Sequence, residues 1–183
     1  MAGSLIKIDE FTVSSAVASV IIGGGSSGSS GLNASIDSTY DVYMLQITNV
    51  RIATDARELR LRFTASGNPN TTSNYDRAML NLRADTTFTE NHNTNQTFIG
   101  LEQGGTGTSE FQNATFYLFN FNNASEYSFI TNENSGRNAN GTLSGKTGGG
   151  VLTVTEFNDG VNFLTSGGNI NTGSKFTLYG LKK

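Results

Sequence analysis

The chain has 183 residues, of which 15% are charged, with a formal net charge of −3 and no cysteine. That length fits one domain, the missing thiols exclude disulfides and thiolate metal sites, and the slightly acidic balance excludes a basic nucleic-acid surface. Polarity comes instead from Asn, Thr, Ser and 22 glycines, a composition suited to strands and turns.

The chain opens MAGSLIKIDEF, without the positive region and apolar run of a signal peptide. No stretch approaches the ~18 apolar residues of a membrane-crossing helix. Synthesis in a cytoplasm is therefore expected, with the chain staying there or leaving by a route other than secretion. Residues 5–13 (LIKIDEFTV) and 16–22 (AVASVII) read as one or two strands. Residues 23–31 are glycine and serine throughout, a flexible coil that could mark a domain boundary. The arm before it, residues 1–22, is too short to bury a core of its own. Its strands must pair with the main body or with another subunit. Residues 1–183 then form one domain, with 23–31 an internal loop able to span about 30 Å.

Beyond the loop, alternation dominates. In residues 58–63 (ELRLRF), Leu59, Leu61 and Phe63 point one way and Glu58, Arg60 and Arg62 the other. Residues 77–83 (RAMLNLR) repeat the pattern, with Ala78, Leu80 and Leu82 expected inward. Residues 115–121 (TFYLFNF) are apolar on both faces, as in a central strand or one at a subunit contact. Residues 151–155, 160–164 and 175–181 continue the series, the last with Phe176 and Leu178 on one side and Tyr179 and Leu181 on the other. Turn signals fall between them at SGNP (66–69), NDG (158–160) and SGGN (166–169). Many short strands with Gly/Asn turns predict an all-β, antiparallel β-sandwich.

Catalytic patterns are weak. His92, the only histidine, lies in TENHNTNQ (89–96), read as a polar loop, with no second histidine or cysteine for a triad or zinc site. Glu102 and Glu110 flank GGTGT (104–108), and Glu156 and Asp159 bracket a turn; acids so placed usually cap turns. GGTGT lacks the lysine and helix of a phosphate loop, and Asp37 and Asp41 lack calcium-loop spacing. No catalytic residue, metal site or cofactor is expected. What remains is apolar surface: Leu5, Ile6, Ile8, Phe11 and Val13 in the arm, and Phe116, Tyr117, Phe119 and Phe121 in the aromatic strand, are the candidate interface residues. Aromatics anchor interfaces or stack on sugars when exposed.

Four stretches, taken in order, carry a resemblance: IDSTYDVYMLQITNVRIATDARELRLRFTASG, TTSNYDRA, TFYLFNFNNASEYSF and DGVNFLTSGGNINTGSKFTLYGLKK. Together they resemble small virion structural proteins of marine tailed phages, cyanophages among them, with related modules in tail-fibre proteins. The closing GNI…G.FTLYGLK is the most specific part. The resemblance implies a jelly-roll-like sandwich on the virion exterior, as a capsid decoration or cement protein or a short fibre component. It implies no enzymatic activity. A homo-oligomer, on the resemblance alone a trimer, docked on other virion proteins is expected, without nucleic acid or membrane. Where the family passes directly from its first strand to a stretch like IDSTYDVY, this chain carries the glycine run, as if inserted. The alternative is a glycan-binding adhesin of a tail fibre that contacts a host glycan. A polysaccharide depolymerase fits poorly, since those are longer, repetitive solenoids with carboxylate clusters.

Overall fold

A computed structural model describes residues 4–24, 31–32 and 34–182. Residues 1–3 of the predicted arm and 25–30 of the predicted loop lie outside the described residues. Fourteen strands follow in order: β1 (Ser4–Thr12), β2 (Ser19–Gly23), β3 (Gly31–Leu32), β4 (Val42–Val50), β5 (Arg57–Ala65), β6 (Asn68–Pro69), β7 (Tyr75–Arg83), β8 (Thr89–Gln96), β9 (Ile99–Gly104), β10 (Gln112–Phe119), β11 (Ser128–Arg137), β12 (Leu143–Leu152), β13 (Gly160–Thr165) and β14 (Lys175–Lys182). They form an eight-stranded sheet, β1-β14-β4-β10-β11-β12-β7-β8, and a smaller one, β3-β2-β13-β5-β6, with β9 also on β5. Every strand pairing is antiparallel except the short contact of β2 with β3. The protein is an all-β sandwich, and the chain crosses repeatedly from one sheet to the other.

The arm divides between the sheets. β1 lies along β14, and β2 along β13. Between them Val13 donates its N–H to the Ser174 carbonyl at 2.9 Å, and Val17 bridges Ile170. The strands on either side of the glycine run, β2 and β3, belong to one sheet.

Alternate residues of both sheets meet in the core. Leu59, Leu61 and Phe63 of β5 are buried as their alternation predicts, and so are Phe176 and Leu178 of β14. Phe163 of β13 packs against Phe116 and Phe176, with ring centroids 5.7 and 5.3 Å away. Phe63 packs against Phe121 at 4.6 Å and edge-on against Tyr75 at 5.6 Å. The Tyr75 hydroxyl accepts the Phe63 N–H and donates to the Asn70 carbonyl, so the ring is buried without leaving its polar end unpaired.

β7 departs from expectation by one residue. Tyr75, Arg77, Met79 and Asn81 face inward, while Ala78 and Leu80 are exposed and Leu82 is only half-buried. A one-residue change of register turns every side chain of a strand to the other face. Here the inward row carries polar groups that are paired in part, with Arg77 Nε and Asn81 Oδ1 buried without a hydrogen bond among the described residues. Arg77 Nη1 donates to the Gly100 carbonyl at 2.8 Å and lies 3.5 Å from Glu58. Residues 89–96, expected as a loop, form edge strand β8 instead. Among the described residues its outer side has no strand partner, so it has no need of apolar alternation.

The interior under β11, β12 and β7 carries polar groups beside Ile130, Leu152, Tyr75 and Met79. Lys146 is buried, and its ammonium donates to the Leu101 carbonyl at 2.6 Å. Asn134 Oδ1 accepts the Lys146 N–H, and Asn132 Nδ2 donates to the Lys146 carbonyl at 3.2 Å. Burial pushes the Lys146 ammonium below its usual range, against the opposing pull of Glu102 and Glu58. Burial likewise pushes the Glu102 carboxyl up, with Lys146 acting against it.

Candidate binding face

The outward side of the larger sheet is the most differentiated surface of the molecule. Strand register places its side chains in cross-strand rows. One row runs Lys7, Tyr179, Met44, Tyr117, Thr131, Gly149, Ala78, His92, crossing all eight strands. On one side of it lies an apolar row of Val42, Phe119, Phe129 and Val151, ending at Asp76. Leu181 and Leu5, themselves paired, continue that row on β14 and β1. On the other side lies a polar row: Glu10, Thr177, Gln46, Thr115, Glu133, Thr147, Leu80, Glu90.

The face is hollow over β4, β10, β11, β12, β7 and β8. A depression of about 610 Å³ lies among Met44, Gln46, Thr115, Tyr117, Thr131, Glu133 and Thr147. It shares Thr131 with a second, of about 590 Å³, beside Phe129, Ala78 and His92. Thr147 joins it to a third along Leu80 and Glu90. The cause is local to β12 and β7, which place Gly149 and Ala78 side by side on this surface. A Cβ on Gly149 would come within 2.8 Å of the Ile130 carbonyl oxygen, so the close-packed backbone there holds the floor low.

Charges on this face are treated in two ways. At the β1–β14 end, Lys7 and Lys175 each lie 2.9 Å from Glu10 and hold its carboxyl down at about 2. Within the hollow, the side chains of Gln46, Thr115, Thr131, Glu133 and Thr147 make no hydrogen bond or ion pair with the rest of the described chain.

The predicted interface residues separate on this geometry. Val13, Phe116 and Phe121 are core side chains and have no surface to offer. Ile8 and Phe11 pack half-buried against the core. Leu5 and Ile6 are exposed on edge strand β1, and Tyr117, 40% exposed, and Phe119 point outward from β10. The residues not expected at a surface are Met44, Phe129, Val151 and the glycines of β12. A signal was present in SGKTGGGV (144–151), glycines set among strand-like residues, but it carries no apolar alternation.

Three of the four carboxylates weighed for catalysis, Asp159, Glu156 and Glu110, and Asp37, weighed for calcium, have structural work. Asp159 is buried, accepting from Thr64 Oγ1 at 2.7 Å and from the Gly67 N–H at 2.8 Å. Glu156 accepts from Asn70, and Glu110 caps the Gly107 N–H. Asp37 accepts from the Tyr43 hydroxyl and the Thr39 N–H. Among the described residues no group of three or more His, Asp or Glu is placed to hold a metal ion. His92 points outward from β8 at the far end of the hollow. Comparison with protein-family models, with curated proteins and with solved structures finds no match.

Proposed function

We propose that this protein is a non-enzymatic structural protein of a phage virion. In this reading it sits on the particle exterior as a capsid decoration or cement protein, or as part of a short fibre, and assembles with copies of itself and with other virion proteins. The family resemblance of its four sequence stretches supports the viral context. The observation that carries the docking role is the apolar outward row. Val42, Phe119, Phe129 and Val151 lie on four adjacent strands, with Leu5 (46% exposed) and Leu181 beyond them. Aligned apolar side chains on a sheet's solvent face mark a surface meant to be covered.

Imaging of purified particles with a label on this protein tests the placement. Label on the particle exterior is the expected result, and particles free of it overturn the reading. The double variant Leu5→Asp with Leu181→Asp tests the surface. These exposed side chains lie outside the core, so its melting temperature should stay near wild type while particle attachment or oligomer mass falls. Unchanged attachment and mass would remove the row from the docking role.

A further inference from the structure

We propose that the hollow on the larger sheet binds an extended, neutral oligosaccharide. This goes beyond a structural role on a particle and does not depend on it. Three observations converge. The first is shape. Six adjacent strands at ~4.8 Å spacing make a trough about 24 Å across, longer than one sugar ring and open at the top. A trough of that kind receives a chain from the side. An enclosed pocket would take only a terminal unit.

The second is chemistry. Gln46, Thr115, Thr131, Glu133 and Thr147 line the trough with amide, hydroxyl and carboxylate groups that are not engaged among the described residues. Hydroxyls both donate and accept, as sugar hydroxyls do. Tyr117 stands among them, exposed, beside Met44. An aromatic face of this kind packs against the apolar C–H face of a pyranose, while its neighbours bond the ring's hydroxyls. Protein partners favour apolar and aromatic cores, and that chemistry lies in the adjacent row instead.

The third is charge. The three rows between β4 and β8 hold the carboxylates Asp76, Glu90 and Glu133 and no lysine or arginine. A uronate, sulfate or phosphate polymer would meet like charges, and the one guanidinium in the lining, Arg77, is turned inward onto the Gly100 carbonyl and Glu58, so the trough discriminates against acidic glycans by repulsion.

The test uses the full chain on an array of neutral and of uronate- or sulfate-bearing oligosaccharides. Calorimetry then follows with the best-bound hexasaccharide and its disaccharide. Binding should be confined to neutral glycans. The disaccharide should bind at least ~10-fold more weakly, since fewer contacts are made along the trough. Tyr117→Ala should weaken the hexasaccharide at least ~10-fold at an unchanged melting temperature. Glu133→Lys should admit uronate-bearing chains. A silent array, a preference for acidic glycans, or full binding by a folded Tyr117→Ala protein overturns the proposal. The Leu5→Asp, Leu181→Asp variant should keep glycan binding, so failure here and failure of particle docking are read separately.

Discussion

The two halves of the sandwich interior are held together differently. Under β14, β4 and β10 the filling is dry: Leu45, Phe116, Phe163, Phe176 and Leu178 have essentially no exposed surface, and the rings interlock. Under β11, β12 and β7 it is mixed: Ile130, Leu152, Tyr75 and Met79 share the space with buried Asn132, Asn134, Ser144 and Lys146, joined by Arg77 of β7 and by Glu58 and Glu102 from β5 and β9. The trough's floor lies over this second half. Gly149 lowers the outer surface, and the adjacent Gly150 removes volume from the inner one, which a longer neighbour fills. Ile99 occupies the space at Gly150, where a Cβ would meet its Cδ1 at 2.6 Å. The dry half draws its stability from packed volume, and the mixed half draws its positioning from directional bonds.

Substitutions can break that contrast. Phe163→Ala should cost the most, about 3–5 kcal/mol, because the emptied site is lined by rings that cannot collapse into it. Urea unfolding checks this. Gly150→Val comes next, at about 1–3 kcal/mol, because Ile99 must leave its place. A crystal structure of that variant should show β9 displaced from β12.

Lys146→Met should cost a similar amount, about 1–3 kcal/mol, because relief of a buried charge's desolvation is outweighed by a Leu101 carbonyl left without its donor and a Glu102 carboxyl left without its counter-charge. Its pH signature is the sharper test. The ammonium titrates lower in the folded chain than its ordinary 10.5. Between those two values the unfolded chain binds more protons, so this group makes stability rise with pH through that window. In Lys146→Met that rise should vanish from urea midpoints measured across the alkaline range. A retained slope would assign it to another group. The smallest effect belongs to the outer face. Phe129→Ser, at a side chain 43% exposed, should stay within ~0.5 kcal/mol of wild type.

The same contrast explains what was legible in the sequence. Where the interior is dry, period-two alternation is an accurate guide: residues 58–63 turn Leu59, Leu61 and Phe63 inward as expected, and residues 175–181 separate Phe176 and Leu178 from Tyr179 and Leu181, though with both sides apolar the pattern does not say which is buried. Where it is mixed, the signal inverts. β11 turns Asn132 and Asn134 inward and Phe129 outward, and β7 turns Arg77 inward and Leu80 outward. A burial rule based on hydropathy reads such strands backwards, because hydrogen-bond partners from distant segments are not visible in a local pattern. Strand β12, half glycine and small polar residues, gives no alternation to read. The trough was therefore hidden, although Tyr117 was singled out for its chemistry. The edge strand β8 was hidden for a related reason: eight polar residues look like a loop until register shows them paired with β7.

Strand β14 sits between β1 and β4. Two strands from the first fifty residues are thus joined only through residues 175–182. On the ribosome, β1 has no ladder partner and β4 keeps one open edge until those residues have cleared the exit tunnel. The larger sheet closes only after that point, through contacts of long sequence separation that form slowly. Until then each nascent chain carries a strand-wide gap flanked by unpaired backbone, with Leu5 and Ile6 on one bank. Neighbouring chains on a polysome could fill one another's gaps during that interval. In the folded chain β14 fills that gap.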